Sequence, residues 1–375
     1  MAEPIKKILV TGANGFIGKN LISVLQRREG VEIFPADVET TEEEWDKYCK
    51  ECDFVMHLAG VNRPKEVSEF MEGNFGLTTK LLALLKKHKN LAPVLLTSSV
   101  QAVLDNDYGK SKKAGEDYLL QYGKETGAKT YIYRLPNVFG KWGRPNYNSA
   151  VITFCYNISR NLPITVNNRE TVLTLVYIDD VAESFVKCLD GDCTRDEEGF
   201  CRVPVTHSAS LGQIVDLLHS FRESRKNLSV CDMNDGFQKK LYSTYLSYLP
   251  EDDFSYDLNM HCDARGSFTE FLRTDGQGQV SVNISRPHIV KGNHWHHTKN
   301  EKFLVVKGKG VIRFRKIGEK QVYEYFVSGE KLQVVDIPCG YTHNIENIGE
   351  EDMVTVMWAN EPFDAQKPDT FYEEV

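Results

Sequence analysis

The sequence lacks any apolar run near the ~18 residues that a helix needs to cross a bilayer, so no membrane span is expected. It has little sign of paired cysteines either. Nine cysteines are scattered over 375 residues, and Cys49 and Cys52 form a close pair with no second pair of that spacing. Solitary thiols in a reducing cytoplasm are expected, rather than a disulfide framework or a zinc knuckle. Positive charge is also short: 45 Lys and Arg against 53 Asp and Glu leave a net charge of -8. A nucleic acid is therefore not an expected partner, whereas a phosphorylated small molecule needs only local donors. No secretory leader is expected, because Ile8-Leu-Val10 and the glycine turn behind it open a fold almost at once. What is present is length and an ordinary 41% hydrophobic content, enough for two domains with separate cores.

Lys6-Lys-Ile-Leu-Val10 ends in Thr11-Gly12-Ala-Asn-Gly15-Phe-Ile-Gly18, and a helical spacing of Leu21, Ile22 and Leu25 follows. Strand, glycine turn and helix form the phosphate-binding unit of a Rossmann fold. The first glycine permits the turn, the second lets the backbone approach a pyrophosphate, and the third lets the helix pack closely with its N-terminus towards the anion. Gly12, Asn14, Gly15, Phe16, Ile17 and Gly18 are expected against a dinucleotide. Asp37 follows the second strand, Val31-Glu-Ile-Phe34, about 25 residues beyond Gly12. A carboxylate there accepts hydrogen bonds from the adenosine ribose and repels a 2′-phosphate, so Asp37 leans towards NAD. Asp53-Phe-Val-Met-His-Leu-Ala-Gly60 is a third strand whose end, Leu58, Ala59 and Gly60, lies where a cofactor passes. Asn74 opens a helix through Leu77, Leu81 and Leu85, and Pro93-Val-Leu-Leu-Thr-Ser-Ser99 is the next strand. This alternation predicts a parallel, doubly wound sheet.

Tyr108-Gly-Lys-Ser-Lys112 carries acid–base chemistry. Tyr108 and Lys112 are four residues apart and share a helix face. An ammonium beside the phenol is expected to lower the tyrosine pKa, and Ser99 to hold a reacting carbonyl oxygen. With these residues the chain resembles the extended short-chain dehydrogenases/reductases over about residues 5 to 240. Gly12, Gly15, Gly18, Leu58-Ala-Gly60, Asn74, Ser99, Tyr108 and Lys112 match, as do Tyr133-Arg-Leu-Pro-Asn-Val-Phe-Gly140 and Tyr177-Ile-Asp-Asp-Val181. The resemblance implies a nucleotide-activated sugar as substrate, Ser99, Tyr108 and Lys112 as catalytic residues, and Tyr108 and Lys112 also against the cofactor. Asn62, Arg134, Asn137 and Lys141 are the implied substrate contacts.

Asp190 to Val203 is polar and reads as a loop. Leu211-Gly-Gln-Ile-Val-Asp-Leu-Leu218 reads as an amphipathic helix that Phe221 extends. A domain boundary is expected between Lys240 and Asp257, giving domains 1–250 and 251–375. From His261 onward short alternating strands predominate: Gln279–Ile284, Val311–Arg315, Val322–Val327, Leu332–Ile337 and Met353–Trp358. Turn signals at Gly308-Lys-Gly310 and Ser328-Gly329 separate them, which predicts an all-β barrel or double-sheet jelly roll.

His294 and His296 have the spacing of two that points both side chains to one face of a strand. Glu301 follows, and His343 comes from a distant segment. Imidazoles and a carboxylate suit Zn²⁺, Fe²⁺, Mn²⁺ or Ni²⁺, and the pattern does not choose among them. The stretch resembles the cupin family. His294, His296, Glu301 and Gly308 match its first motif, and Pro338, Gly340, His343 and Asn347 its second, although the leading glycine of each is missing.

A reductase of this kind joined to a metal-motif cupin resembles the CapF family of bifunctional capsular-polysaccharide enzymes. Leu58-Ala-Gly-Val-Asn-Arg-Pro64, Lys141-Trp142, Tyr242-Ser-Thr-Tyr-Leu-Ser-Tyr-Leu-Pro250 and Asn293-His-Trp-His-His-Thr-Lys-Asn-Glu-Lys-Phe303 carry the likeness. The resemblance implies an α/β Rossmann-fold extended short-chain dehydrogenase/reductase followed by an all-β cupin jelly roll. It implies C3 epimerisation of a UDP-linked 4-keto-6-deoxy amino sugar by the cupin and C4 reduction by the first domain. The product would be UDP-2-acetamido-2,6-dideoxy-L-talose, a precursor of UDP-N-acetyl-L-fucosamine for capsule or O-antigen. It also implies NADPH, against the NADH that Asp37 suggests, one divalent metal with zinc the first choice, and a homodimer. His288, Lys291, His297, Lys299 and Lys302 are all candidates for the epimerase base. Two rival functions stay open on sequence alone: a reductase whose cupin is a non-catalytic sugar-binding or assembly module, and a metal-dependent oxygenase in the cupin half.

Overall fold

The computed structural model describes residues 5–375 except 275, 277 and 367. The chain forms two compact units. One comprises the chain up to His219 together with Lys240–Pro250, and the other Ser220–Lys239 together with Glu251–Val375. Pro250 is thus the last crossing between units, and a helical stretch before it already belongs to the second.

In the first unit β1 (Lys6–Thr11), α1 (Phe16–Leu25), β2 (Val31–Ala36), α2 (Glu42–Glu51) and β3 (Phe54–His57) lead to α3 (Ser68–Phe70), a π-helix (Met71–Gly76) and α4 (Leu77–Lys87). Then come β4 (Val94–Ser99), α5 (Asp107–Thr126) and β5 (Thr130–Leu135). The five strands pair in parallel in the order β2-β1-β3-β4-β5. Both faces are covered: Ile8 and Val10 join one buried cluster with Met56 and Leu95, while Leu9 joins another with Val55 and Leu96. That is why these strands are apolar throughout rather than alternating. The order reverses between β1 and β3, and in such sheets ligands bind outside the carboxyl ends of the strands at that reversal. A smaller sheet, β6 (Asn137–Phe139), β7 (Val172–Tyr177) and β8 (His207–Ser210), is interleaved with α6 (Ala150–Ser159) and α7 (Ile178–Leu189). The chain continues through α8 (Leu211–Asn227), a two-residue strand β9 (Ser229–Val230) and α9 (Gly236–Leu246).

The second unit is built on β10 (His261–Asp263), β11 (Gly266–Thr274), β12 (Gly278–Ser285), β13 (Val290–Trp295), β14 (Glu301–Lys307) and β15 (Lys309–Lys316). It is completed by β16 (Val322–Ser328), β17 (Val334–Ile337), β18 (Tyr341–Asn347), β19 (Met353–Ala359) and β20 (Phe371–Tyr372). One sheet runs β10-β11-β12-β19-β14-β17, with β9 beside β11, and the other β16-β15-β18-β13-β20. Phe303, Val305, Ile312, Phe314, Val335, Ile345 and Met353 pack as the core of this jelly roll. On β12 the buried positions are polar: Gln279, Ser281, Asn283 and Ser285 are buried and alternate with Val280, Val282 and Ile284. The first three of them wall a cavity of about 300 Å³ that also contains His294, Glu301 and His343. No helix among the described residues is long and apolar enough to cross a membrane.

Candidate functional site

The crevice of the first unit is made where β1 and β3 end side by side. Gly12 has φ +67°, and a Cβ there would lie 2.8 Å from the Ala59 nitrogen and 2.9 Å from its Cα, so only glycine permits the approach. The Thr11 hydroxyl accepts from the Leu58 and Ala59 N–H groups at 3.2 Å each and donates to His57 Nδ1 at 2.7 Å. His57 Nε2 in turn meets the Thr78 hydroxyl at 3.0 Å. Burial, helped by the charge of Lys112, pushes the His57 pKa down to about 3, so it is a neutral brace beneath the glycine turn. The Asn14 N–H donates to Asp37 Oδ2 at 2.7 Å and the Val38 N–H to Oδ1 at 2.9 Å. Asp37 is therefore drawn to the glycine turn, with Gly15 and Phe16 opening α1 beside it.

Ser99 ends β4, and α5 begins at Asp107 because the Asn106 side chain caps it, accepting from the Gly109 N–H at 2.7 Å. The first turns of α5 bring Tyr108 opposite Ser99 and bury Lys112. Lys112 Nζ donates to the Thr97 carbonyl at 3.3 Å and lies within 2.8 Å of where a Cβ of Gly60 would stand. The strand end Leu58-Ala59-Gly60, the turn and the Ser99–Tyr108–Lys112 set therefore share one crevice. Asn74, in the π-helix, holds the next residue: its Oδ1 accepts from the Val61 N–H at 2.9 Å and its Nδ2 donates to the Val61 carbonyl at 3.0 Å and to Ser111 Oγ at 2.9 Å.

The expected lowering of the Tyr108 pKa by Lys112 is not what the structure gives. Burial raises it, opposed by the facing Ser99 hydroxyl. The Lys112 ammonium stands 5.9 Å from the phenol ring centroid and directs its charge at Thr97 instead. Burial depresses Lys112 itself to about 8, against the pull of Glu116.

The four expected substrate contacts divide. Asn62 is half-buried in the bend after Gly60. Asn137 is exposed on β6 and donates to the Thr174 carbonyl at 3.2 Å, and Lys141 is paired with Asp179. Arg134 is tied into the fold by other partners. Its Nε and Nη2 reach the fully buried Glu116 at 2.9 and 2.7 Å, and its guanidinium stacks 3.6 Å from the Phe200 ring centroid. Ser98 Oγ donates to the same carboxylate at 2.6 Å. A buried carboxylate on α5 needs a cation, and Arg134 on the adjacent strand supplies it.

In the second unit His294, His296, Glu301 and His343 offer ligand atoms that all lie within 4.8 Å of one another. Glu301 Oε2 is 3.5 Å from His296 Nε2 and 3.3 Å from His343 Nε2. Those three atoms are buried and make no hydrogen bond among the described residues. Buried polar atoms without partners are costly, and here they converge on one point, so the set fits a divalent ion. The other nitrogen of His296 donates to the Asp369 carbonyl, which fixes the tautomer that leaves Nε2 free. Burial and then the His343 charge push the His294 pKa down to about 4. Burial would raise Glu301, but His296 and His343 outweigh it and hold the carboxyl well below its usual range. Both shifts favour the ligand forms, neutral imidazole and carboxylate, whereas for His296 burial is outweighed by Glu301 and the Asp369 carbonyl, which raise it.

Several residues at these sites escape sequence reasoning. Thr11, His57 and Thr78 form a polar chain through an apolar sheet, with no motif to mark it. Glu116 continues the four-residue ladder from Tyr108 and Lys112, which is a legible signal. Asp369 carries none, yet its carboxylate accepts from the N–H groups of His297, Thr298 and Lys299 at 2.8 to 2.9 Å and sets the loop between His296 and Glu301.

Residues 8–195 match the NAD dependent epimerase/dehydratase family and residues 261–371 the polysaccharide biosynthesis C-terminal domain. A Pseudomonas aeruginosa protein, UDP-2-acetamido-2,6-beta-L-arabino-hexul-4-ose reductase, is 47% identical over 97% of this chain and 98% of its own length. The crystal structure of the capsular polysaccharide assembling protein CapF from Staphylococcus aureus superposes with a TM-score of 0.93 at 53% identity, covering 98% of this chain and all of that one. The Thermus thermophilus UDP-glucose 4-epimerase in complex with NAD shares the first unit's fold alone, with a TM-score of 0.50 and 22% identity over 58% of this chain and 83% of that one. The chain belongs to the CapF family, in which an NAD dependent epimerase/dehydratase domain precedes a polysaccharide biosynthesis C-terminal domain.

Proposed function

We infer that this protein is a bifunctional nucleotide-sugar enzyme. Its second unit epimerises C3 of a UDP-2-acetamido-2,6-dideoxy-4-keto-hexose. Its first unit reduces C4 with NAD(P)H to UDP-2-acetamido-2,6-dideoxy-L-talose. The observation that carries this is the presence in one chain of a Ser99–Tyr108–Lys112 set at a dinucleotide crevice and a separate cavity with a His/Glu cluster. The 47% identity to a UDP-keto-sugar reductase along almost the whole chain supports the substrate class.

The chemistry joins the two sites through a single functional group. A C4 ketone acidifies the C3 proton, so removal and return of that proton inverts C3, and the same ketone then accepts hydride. In the crevice Ser99 orients the carbonyl oxygen and Tyr108 gives its proton to the developing alkoxide. Lys112, buried beside Gly60, holds the cofactor ribose. Asp37 accepts from the adenosine ribose hydroxyls, which favours NADH because a 2′-phosphate would meet the carboxylate. His294, His296, Glu301 and His343 would hold a divalent ion, zinc being the first choice, and such an ion supplies Lewis-acid polarisation of an oxygen. The test is to supply the UDP-4-keto sugar and follow NADH and NADPH consumption together with product stereochemistry. Reduction without inversion at C3 would leave a plain reductase, and no consumption of either coenzyme would remove the reading altogether.

A further inference from the structure

Of the five side chains that the sequence offers near the His/Glu cluster as acid–base candidates, four are committed elsewhere. His288 faces Glu350 at 3.5 Å, and Lys302 pairs with Asp336. His297 packs against Trp295 and Phe371 with ring centroids 4.6 and 4.9 Å away. Lys299 Nζ lies over the Phe363 ring at 5.7 Å. Lys291 alone of the five lines the cavity that holds His294, Glu301 and His343.

Its presence there needs explaining. Along a regular strand, residues 291 and 294 point to opposite faces, because side chains alternate. β13 is not regular. Its pairing with β18 shifts register between Gly292 and His294, with Gly292 at φ +104° and Asn293 at φ +58°. A Cβ on Gly292 would stand 2.9 Å from the His343 carbonyl oxygen. The extra residue turns the strand so that Lys291 and His294 face the same cavity, the kind of re-aiming for which bulges recur beside active sites.

The ammonium is held as a donor. Nζ donates at 2.8 Å to Asn283 Oδ1 and at 2.8 Å to the Ile284 carbonyl, and the remaining contact, to the Ser267 carbonyl, is long at 3.5 Å. Asn283 is itself oriented by donating from Nδ2 to Ser285 Oγ at 3.1 Å. All three acceptors are neutral oxygens, which stabilise a protonated amine without cancelling its charge. One N–H is thus weakly engaged at the wall of a cavity of about 300 Å³, a size that suits one sugar ring. A positive charge with no carboxylate among its hydrogen-bond partners, on a rigid strand and with a donor to spare, is what a developing oxyanion requires.

We propose that Lys291 is a catalytic residue of the second unit, donating a hydrogen bond to the C4 oxygen of the keto sugar as that oxygen becomes an enolate during C3 epimerisation. The proposal rests on the epimerase function inferred above. When the C3–H bond breaks, its electron pair forms the C3=C4 bond and the carbonyl π pair moves to oxygen. The proton passes to water in the cavity, and one returns from water to the opposite face of C3. Lys291 keeps its protons throughout, so it is an oxyanion donor and not the base.

The test uses the full-length chain with the UDP-4-keto sugar in heavy water, without NAD(P)H, reading deuterium at C3 by NMR. Lys291→Met is expected to slow exchange by about 100-fold or more. Lys291→Arg, which keeps the charge and a donor, is expected to recover at least a tenth of the wild-type rate. Bound metal, the melting temperature and NAD(P)H oxidation on sugar already epimerised by the wild-type chain are expected to stay unchanged in both. Exchange by Lys291→Met at a rate close to wild type overturns the role of Lys291. So does equal loss in both variants accompanied by loss of metal, which marks a structural lysine. Absence of exchange in the wild-type chain is a different outcome, because it overturns the epimerase function itself.

Discussion

Glu116 is fully buried, its carboxylate takes two hydrogen bonds from Arg134 and one from Ser98, and the Arg134 side chain is only 15% exposed. Replacing Glu116 with Ala strands that guanidinium with Glu198, 3.3 Å away and largely in solvent, and removes the acceptor of the Ser98 hydroxyl. Breaking a buried pair by removing one partner costs about 3–5 kcal/mol. For a unit of this size that corresponds to a fall in melting temperature of about 10 °C. Glu116→Met with Arg134→Met removes both charges and leaves an apolar site of similar volume, so the double variant is expected within about 2 kcal/mol of the wild type. The assay is calorimetry of the full chain, with the transition of the first unit identified by its upward shift on adding NAD(P)H. With Glu116→Met and Arg134→Met as the single variants, each costing about 3–5 kcal/mol, the coupling energy from the cycle is expected at about 4 kcal/mol or more. A Glu116→Ala variant that melts with the wild type, or a cycle with no coupling, would refute the assignment of Arg134 to the fold. A double variant that folds but loses affinity for the sugar nucleotide would return Arg134 to the substrate site.

Tyr108→Phe removes the proton donor without a charge change. NAD(P)H oxidation is expected to fall about 100- to 10,000-fold while coenzyme still binds, and an unaltered rate would dismiss Tyr108 as the acid. The buried Lys112 has a folded-state pKa near 8, below its unfolded value of about 10.4. Between these values the unfolded chain binds more protons than the folded one, so stability rises with pH across this window. Below pH 8 the penalty is fully present, at about 3 kcal/mol. Lys112→Met is therefore expected to be more stable than the wild type at pH 7 though inactive, with a flatter stability profile from pH 8 to 10. A variant destabilised at pH 7 would contradict this. Purified wild-type chain is expected to carry about one divalent ion per chain by elemental analysis, and His343→Ala to lose it on dialysis. Equal metal content in both would show that the cluster does not hold it.

Asp37, the glycine turn, and the spacing of Ser99, Tyr108 and Lys112 are local facts. A turn that needs φ above zero, or two side chains one helical turn apart, is written in adjacent residues, and the crevice was legible for that reason. The His/Glu cluster was legible because His294, His296 and Glu301 are neighbours and His343 sits in a recognisable motif. Contacts that depend on a distant partner were not legible. Arg134 belongs to a motif that suggests a ligand contact, yet its partner Glu116 is 18 residues away. Asp369 acts on a loop some 70 residues earlier.

The sequence alone determined two domains, a dinucleotide crevice at the N-terminal glycine turn and a His/Glu cluster on a β-scaffold, because each is encoded by local periodicity and spacing. Tertiary structure alone decided which faces those elements present. Hydrophobicity along β12 would favour Val280, Val282 and Ile284 for the interior, whereas Gln279, Ser281 and Asn283 wall the cavity, because this part of the interior is open beside the packed core. The bulge at Gly292 is a property of pairing with β18, and it alone brings Lys291 to the side of His294. Whether a charged residue stands in a cavity or against a buried partner is settled by contacts between distant segments, and those come into being only when the chain has closed.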